Sequence, residues 1–212
     1  MENILVAGAN GTTGKMIVDL LQESQDFKPV AMVRKEEQKA YFTAKNIETV
    51  LVDLEGDVSP SFDTNNPIDK VVFAAGSGGK KVQEVDQDGA IKLIDESKKQ
   101  GVKKFIMLSS MGADTPEQVP ELKDYLVAKQ NADNYLKQSG LPYCIVRPGA
   151  LTNDAGSETI ALELKLNKQG EISRSDVAKT LVQTLNTAIA NQVTFEIIKG
   201  QTPIEKAIIA LS

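Results

Sequence analysis

Ile4-Leu5-Val6-Ala7-Gly8-Ala9-Asn10-Gly11-Thr12-Thr13-Gly14-Lys15-Met16-Ile17-Val18-Asp19-Leu20-Leu21 stands almost at the start of the chain. Its first four residues are a short apolar run of strand type, and its last seven carry helical apolar periodicity. Between them lies a loop with glycines at every third position. Strand, glycine loop and helix form the context in which a loop binds a dinucleotide. Gly8 allows a tight turn off the strand, Gly11 a close approach of backbone N–H groups to a pyrophosphate, and Gly14 close packing of helix on sheet. A phosphate there meets unpaired N–H groups and the positive end of the helix dipole. Asn10 belongs to the same loop, and Thr12 and Thr13 add hydroxyl donors.

Working outward, strand and helix patterns alternate. Apolar runs at Pro29–Val33, Ile47–Val52, Lys70–Ala75, Lys104–Leu108 and Leu141–Val146 read as further strands, of the kind buried on both faces of a parallel sheet. Val82, Val85, Gly89, Leu93 and Ser97 share one face of a helix that ends at Gly101, and a second helix runs from about Glu121 to Gln138. The alternation predicts an α/β fold, a doubly wound parallel sheet of Rossmann type. Residues 1–149 form its core. Residues 150–212 are expected as a small appendage to the same single domain. Within it Asp154 to Gly170 reads as polar and irregular, a helix starts at Ser175 or Asp176 with one of them as cap, Val193 to Ile198 reads as a strand, and Thr202 to Leu211 as a last helix.

Composition narrows the chemistry. The 212 residues are 41% hydrophobic and 25% charged, ordinary values for a globular domain, with net charge −5. No run of Lys or Arg exceeds two residues, so no nucleic-acid footprint is expected. No apolar stretch approaches a membrane span, and the chain opens on a strand instead of a signal peptide. With no histidine there is no Ser-His-Asp triad and no His-ligated zinc. The one cysteine, Cys144, lies in an apolar run and reads as a buried strand residue, not a nucleophile. Asp86 and Asp88 lack a third hard ligand, so no metal site is expected. A cytoplasmic location follows from the cysteine usage.

Where a site for NAD usually carries an acidic residue, at the end of the second strand, this chain has Val33-Arg34-Lys35. A carboxylate would repel a 2′-phosphate, whereas an arginine grips it bidentately, so Arg34 points to NADP(H) over NAD(H). Asp53, followed by Leu54, suits a contact to the adenine amino group and equally suits capping the next turn. Ala74-Ala75-Gly76 supplies small residues where backbone must pass close to a cofactor.

Ser109-Ser110 follows the fifth strand, and Tyr125-x-x-x-Lys129 begins fifteen residues after Ser110. Tyrosine and lysine four apart share one helix face, and an ammonium beside a phenol favours the phenolate. Such a tyrosine hands a proton to a carbonyl oxygen as hydride reaches the carbon. A serine at a strand end hydrogen-bonds the same oxygen. Lys129 also reaches for the nicotinamide ribose. Ser110 is the stronger candidate for the substrate side, with one serine of the pair facing substrate and the other packed or bonded to backbone.

Taken together, the glycine loop, Asp53, Ala74-Ala75-Gly76, Ser109-Ser110, Tyr125-x-x-x-Lys129 and Arg147-Pro148-Gly149 resemble the short-chain dehydrogenase/reductase superfamily. The chain is most similar to its atypical, NmrA-like NAD(P)-binding branch. Val85-Asp86-Gln87-Asp88-Gly89-Ala90, Ser139-Gly140-Leu141-Pro142-Tyr143 and Ile172-Ser173-Arg174-Ser175-Asp176-Val177-Ala178 fit that group. The resemblance implies strand order 3-2-1-4-5-6-7 and NAD(P)(H) binding. It also implies reduction of a small flavin, quinone or carbonyl acceptor, with Ser110, Tyr125 and Lys129 catalytic. Implied cofactor contacts are Gly8, Asn10, Gly11, Thr12, Thr13, Gly14, Arg34, Asp53, Leu54, Ala74, Ala75, Gly76, Ser109, Lys129 and Pro148. Two readings follow: an NADP(H)-dependent oxidoreductase, and an NADP(H)-sensing regulator without turnover. The tail is shorter than in family members that bind nucleotide sugars, which counts against sugar epimerase chemistry. Specificity is expected in Gly112 to Asp124 and Ala150 to Gly170.

Overall fold

A computed structural model describes residues 1–186 and 188–211. The chain begins β1 (Glu2–Ala7), α1 (Thr12–Gln22), β2 (Phe27–Val33), α2 (Lys39–Thr43), β3 (Glu48–Leu51) and β4 (Lys70–Phe73). A π-helical turn, Val82–Asp88, then leads into α3 (Gly89–Lys99). β5 (Lys104–Leu108), α4 (Lys123–Gln138), β6 (Tyr143–Pro148), β7 (Ala150–Thr152), β8 (Thr159–Glu163), β9 (Glu171–Ser173), α5 (Arg174–Gln183), β10 (Val193–Lys199), β11 (Thr202–Pro203) and α6 (Ile204–Ile209) complete it.

All predicted strands form. They pair in parallel in the order β3-β2-β1-β4-β5-β6-β10, matching the expected Rossmann order with β10 in seventh place. The strand residues alternate between two cores. Ile4, Val6, Val72, Ile106 and Cys144 face the side that holds α1, α5 and α6; Leu5, Val71, Phe73, Phe105 and Ile145 face the side of α3 and α4. Continuous apolar runs are what such two-sided burial requires. Cys144 is fully buried, as expected, and burial pushes its thiol up to about 12.

The tail departs from expectation in three ways. Asp154 to Gly170 is not irregular throughout: β8 pairs antiparallel with β10, and β11 with β8, extending the sheet at its edge. Thr159 to Glu163 alternates too weakly for its period to show. The cap of α5 is Ser173, not Ser175 or Asp176; its Oγ accepts the Asp176 N–H at 3.0 Å. The Asp176 carboxylate in turn accepts the N–H groups of Ser157 and Glu158, tying the loop after β7 to the helix start. Finally, the helix expected from Thr202 starts only at Ile204, because Thr202–Pro203 is a strand.

Candidate functional site

Strand order reverses between β1 and β4, and ligands of open α/β sheets bind outside the carboxyl ends at such a point. There the first glycine loop meets the end of β4. Gly8 has φ +83°, and a Cβ on it would lie 2.6 Å from the Ala75 Cα. A Cβ on Gly14 would lie 2.1 Å from the Gly8 carbonyl oxygen. Both glycines are therefore demanded by packing of the loop on itself and on β4. Gly11 has ordinary extended backbone and caps α1 without a side-chain bond. The first intrahelical bond is that from Lys15 N–H to the Gly11 carbonyl, so the N–H groups of Thr12, Thr13 and Gly14 have no intrahelical acceptor.

A cleft of about 390 Å³ opens over this loop. It is lined by Gly8, Asn10, Gly11, Arg34, Asp53, Leu54, Ala74, Ala75 and Gly76, nine of the predicted contacts, from the ends of four different strands. Met32, Val33, Gln38, Val52, Ser77, Lys80, Lys81 and Val85 complete the wall. Arg34 is exposed, and its backbone N–H is fixed by the Gln38 Oε1 at 3.1 Å. Lys80 and Lys81 add two more cations to the same wall, Lys81 held by Glu55. Asp53 accepts the Glu55 N–H at 3.0 Å, the turn-capping bond anticipated as one of its two readings. The donor set fits a dinucleotide: free helix N–H groups for a pyrophosphate, cations at the far end, and small residues between them.

At the other end of the edge stand the two serines. Ser109 is buried, and its hydroxyl donates to Asp133 Oδ2 at 2.9 Å. The sequence reading sets Ser109 at the cofactor; in the structure its hydroxyl is held inside the protein by Asp133, and it is not among the residues that line the cleft. Ser110 is half-buried, and its hydroxyl donates to a neighbouring carbonyl, that of Met111, at 3.2 Å. Pro148 is buried at the end of β6, and its carbonyl accepts the Met111 N–H. Tyr125 and Lys129 share a face of α4 as predicted. The Lys129 ammonium lies 5.7 Å from the Tyr125 ring centre and 6.0 Å from that of Phe73. The Tyr125 hydroxyl makes no hydrogen bond with the described residues, whereas Lys129 is buried and donates to the Leu108 carbonyl at 3.4 Å.

Sequence reasoning missed Lys129's partner. Asp86 is 1% exposed and its Oδ1 lies 3.3 Å from the Lys129 ammonium, while its Oδ2 accepts the Ser77 N–H at 3.0 Å. Asp86 is turned inward, behind the cleft-lining Gly76 and Ser77, by a π-helical turn, a local widening frequent at functional sites. No periodicity in Val82 to Asp88 announces that turn. Arg147 and Asp133 form a second buried pair: Nε and Nη2 of the guanidinium donate to Asp133 Oδ2 at 3.0 and 2.8 Å. Burial pushes the Asp133 carboxyl upward, against the pull of Arg147 and Ser109. Among the described residues no cluster of three or more metal-ligating side chains occurs, and no helix is long and apolar enough to cross a membrane.

A family model described as NAD(P)H-binding matches residues 8–188. The chain belongs to this NAD(P)H-binding family. It is 42% identical over 210 residues to the "uncharacterized sugar epimerase YhfK" of Bacillus subtilis, covering 97% of this chain and 98% of that one. Among solved structures, a putative NAD-dependent epimerase/dehydratase from Bacillus halodurans has a TM-score of 0.91 at 40% identity, covering 97% of this chain and 98% of its own. The oxidoreductase ylbE from Lactococcus lactis has a TM-score of 0.88 at 30% identity, covering 99% of this chain and 96% of its own. The chain therefore takes a nicotinamide cofactor and stands among proteins named as oxidoreductases and as epimerases. The short tail is shared with a relative that carries an epimerase name.

Proposed function

We propose that the chain is an NADPH-dependent reductase that delivers hydride to a small carbonyl, quinone or flavin acceptor. The observation that carries this reading is the division of labour on α4: Lys129 is buried and paired, while the hydroxyl of Tyr125, one turn away, has no hydrogen-bond partner among the described residues. A hydroxyl left free beside a fixed ammonium suits transfer of its proton to a substrate oxygen.

Arg34, with Lys80 and Lys81 on the same wall, takes the 2′-phosphate that distinguishes NADPH. The N–H groups of Thr12 and Thr13, which have no intrahelical acceptor, hold the pyrophosphate over Gly11, whose own N–H is taken by the Gly8 carbonyl. When bound, the reduced nicotinamide supplies the hydride. Ser110 donates a hydrogen bond to the acceptor oxygen and so fixes it. Tyr125 gives that oxygen its proton. Lys129, anchored by Asp86, favours the phenolate left behind and offers a donor to the ribose hydroxyls.

The test is NADPH consumption by the purified protein with menadione, with flavin mononucleotide and with an aromatic aldehyde. Turnover with at least one is expected. With an aldehyde, Tyr125→Phe lowers kcat by about 10²–10⁴-fold while nucleotide affinity holds. With a quinone or flavin the loss is mild, because these acceptors are themselves good electron sinks. Tight NADPH binding with no oxidation in all three would favour a nucleotide sensor. An epimerase would return the hydride to its substrate and consume no NADPH.

A further inference from the structure

We propose that Arg147 is a positioning residue: by holding Asp133 it sets where Ser110 stands relative to Tyr125, and by reaching Asp114 it ties that edge to the segment bearing Lys165. The proposal rests on the reading that Ser110 and Tyr125 act on the acceptor.

Tyr125, Lys129 and Asp133 stand four residues apart on α4 and so form one row along its inner face. The last two are buried in ion pairs of opposite polarity. Lys129 meets an anion delivered by the π-helical turn, Asp86, and Asp133 meets a cation delivered by β6, Arg147. If α4 slid by one turn, Lys129 would come towards Arg147, like charge against like, and Asp86 would lose its partner. Opposed pairs of this kind define one register for a helix, the best-attested role of buried charge. Tyr125, at the head of the row, inherits that register.

The same arginine also governs the serine edge. Ser109 N–H bonds the Val146 carbonyl at 2.8 Å and Met111 N–H bonds the Pro148 carbonyl at 3.0 Å, so Ser110 is flanked by bonds to the two neighbours of Arg147. The Ser109 hydroxyl and the guanidinium converge on one oxygen, Asp133 Oδ2. The guanidinium reaches outward as well: its Nη1 lies 3.6 Å from Asp114 Oδ1, and Asp114 Oδ2 accepts from Lys165, which also lies 3.4 Å from the buried Glu196. Lys165 and Arg147 together hold the Asp114 carboxyl below its usual range although partial burial raises it. Asp114 lies in the Gly112–Asp124 stretch and Lys165 in Ala150–Gly170, the two stretches expected to carry specificity. One side chain thus touches the proton-donor helix at Asp133 and the first specificity segment at Asp114, and through those two carboxylates it is linked to Ser109 and to Lys165 in the second segment.

The test replaces the pair by apolar residues of similar bulk, Asp133→Leu together with Arg147→Met, since such exchanges of a buried ion pair commonly leave folding intact. Expected are an unchanged or raised Tm, an unchanged KM for NADPH, and a kcat at least tenfold lower. Faster hydrogen exchange across residues 108–113 is expected with it. Wild-type kcat in the folded double variant overturns the proposal. Should the double variant fail to fold, Asp133→Asn keeps the packing and removes the charge; lowered kcat and faster exchange at 108–113 support the proposal, and wild-type values overturn it. If wild-type protein turns over no acceptor, the reductase reading fails on its own, and unchanged exchange at 108–113 in either variant overturns the positioning role separately.

Discussion

Arg34 and Arg147 stand at opposite ends of one sheet edge. Arg34 is exposed and makes no ion pair with the described residues, while Arg147 is buried and reaches two carboxylates. The rest of each end follows suit. Around Arg34 the cleft is shaped by glycines, backbone and apolar side chains, and the charged side chains on its wall, Asp53, Lys80 and Lys81, lie at the surface. Around Arg147 the shaping is done by charged side chains packed where water does not reach. At the first end a residue can be exchanged to retune ligand affinity with little effect on the fold. At the second, stability and chemistry share the same side chains. The boundary between the two runs through Ser77, which lines the cleft and whose N–H donates to Asp86.

The comparison breaks most visibly at the glycines. Gly14→Val places a Cβ about 2 Å from a backbone oxygen that cannot move away, so a loss of more than about 4 kcal/mol of stability is expected in chemical denaturation. Gly11→Val meets the same oxygen at 3.2 Å with ordinary backbone angles. That variant is expected to keep its circular dichroism spectrum and lose NADPH binding in calorimetry. Normal affinity in folded Gly11→Val would mean that the loop is only a turn.

Asp86→Ala tests the other end. It leaves the Lys129 ammonium buried with a weakly bonded carbonyl for company, and the expected loss is about 3–5 kcal/mol. A loss below 1 kcal/mol in urea unfolding would show that the two ends do not differ in kind. Arg34→Ala is the matching change at the exposed end. NADPH binding is expected to weaken by about 1.5–3 kcal/mol, NADH binding and Tm to stay put. Equal weakening of both nucleotides would remove the 2′-phosphate from the account.

The smallest effect comes from a buried cation on neither end. Lys104 donates to the carbonyls of Asn186 and Ile189, and burial lowers its pKa to about 8 from 10.5. Because the folded state releases this proton before the unfolded state does, the cost of the buried charge is full below pH 8 and is relieved as pH rises towards 10.5. Stability is expected to rise by about 1 kcal/mol between pH 7 and 9, and Lys104→Met is expected to abolish that rise. A flat profile in wild type would mean that the two carbonyls offset the burial.

Most of the exposed end was legible in the sequence. A glycine that must turn, an arginine in an acidic residue's place and a short apolar strand are local signals, and local signals survive in one dimension. The parallel strands were legible for the same reason. The buried end was legible only as a list. Ser110, Tyr125 and Lys129 could be named from spacing, but Asp86 could not be named as the partner of Lys129 because nothing in Val82 to Asp88 declares a π-helical turn. Asp133 attracted no notice, since its partner is fourteen residues away on another element. That one serine of the pair is packed inward could be expected from successive residues past a strand end pointing opposite ways, but Asp133 as the partner of Ser109 could not. β8 escaped because its pairing with β10 spans more than thirty residues and its own pattern is weak.

Cys144 has a practical consequence. The one thiol in the chain is sealed in the sheet, with its pKa pushed to about 12, so it offers no thiolate to oxidants or to electrophilic quinones at neutral pH. A cysteine introduced at an exposed site such as Lys80 or Leu164 would therefore be the sole labelling point on the molecule. Reporter dyes or spin labels could be attached there one at a time, with no background mutation to remove first.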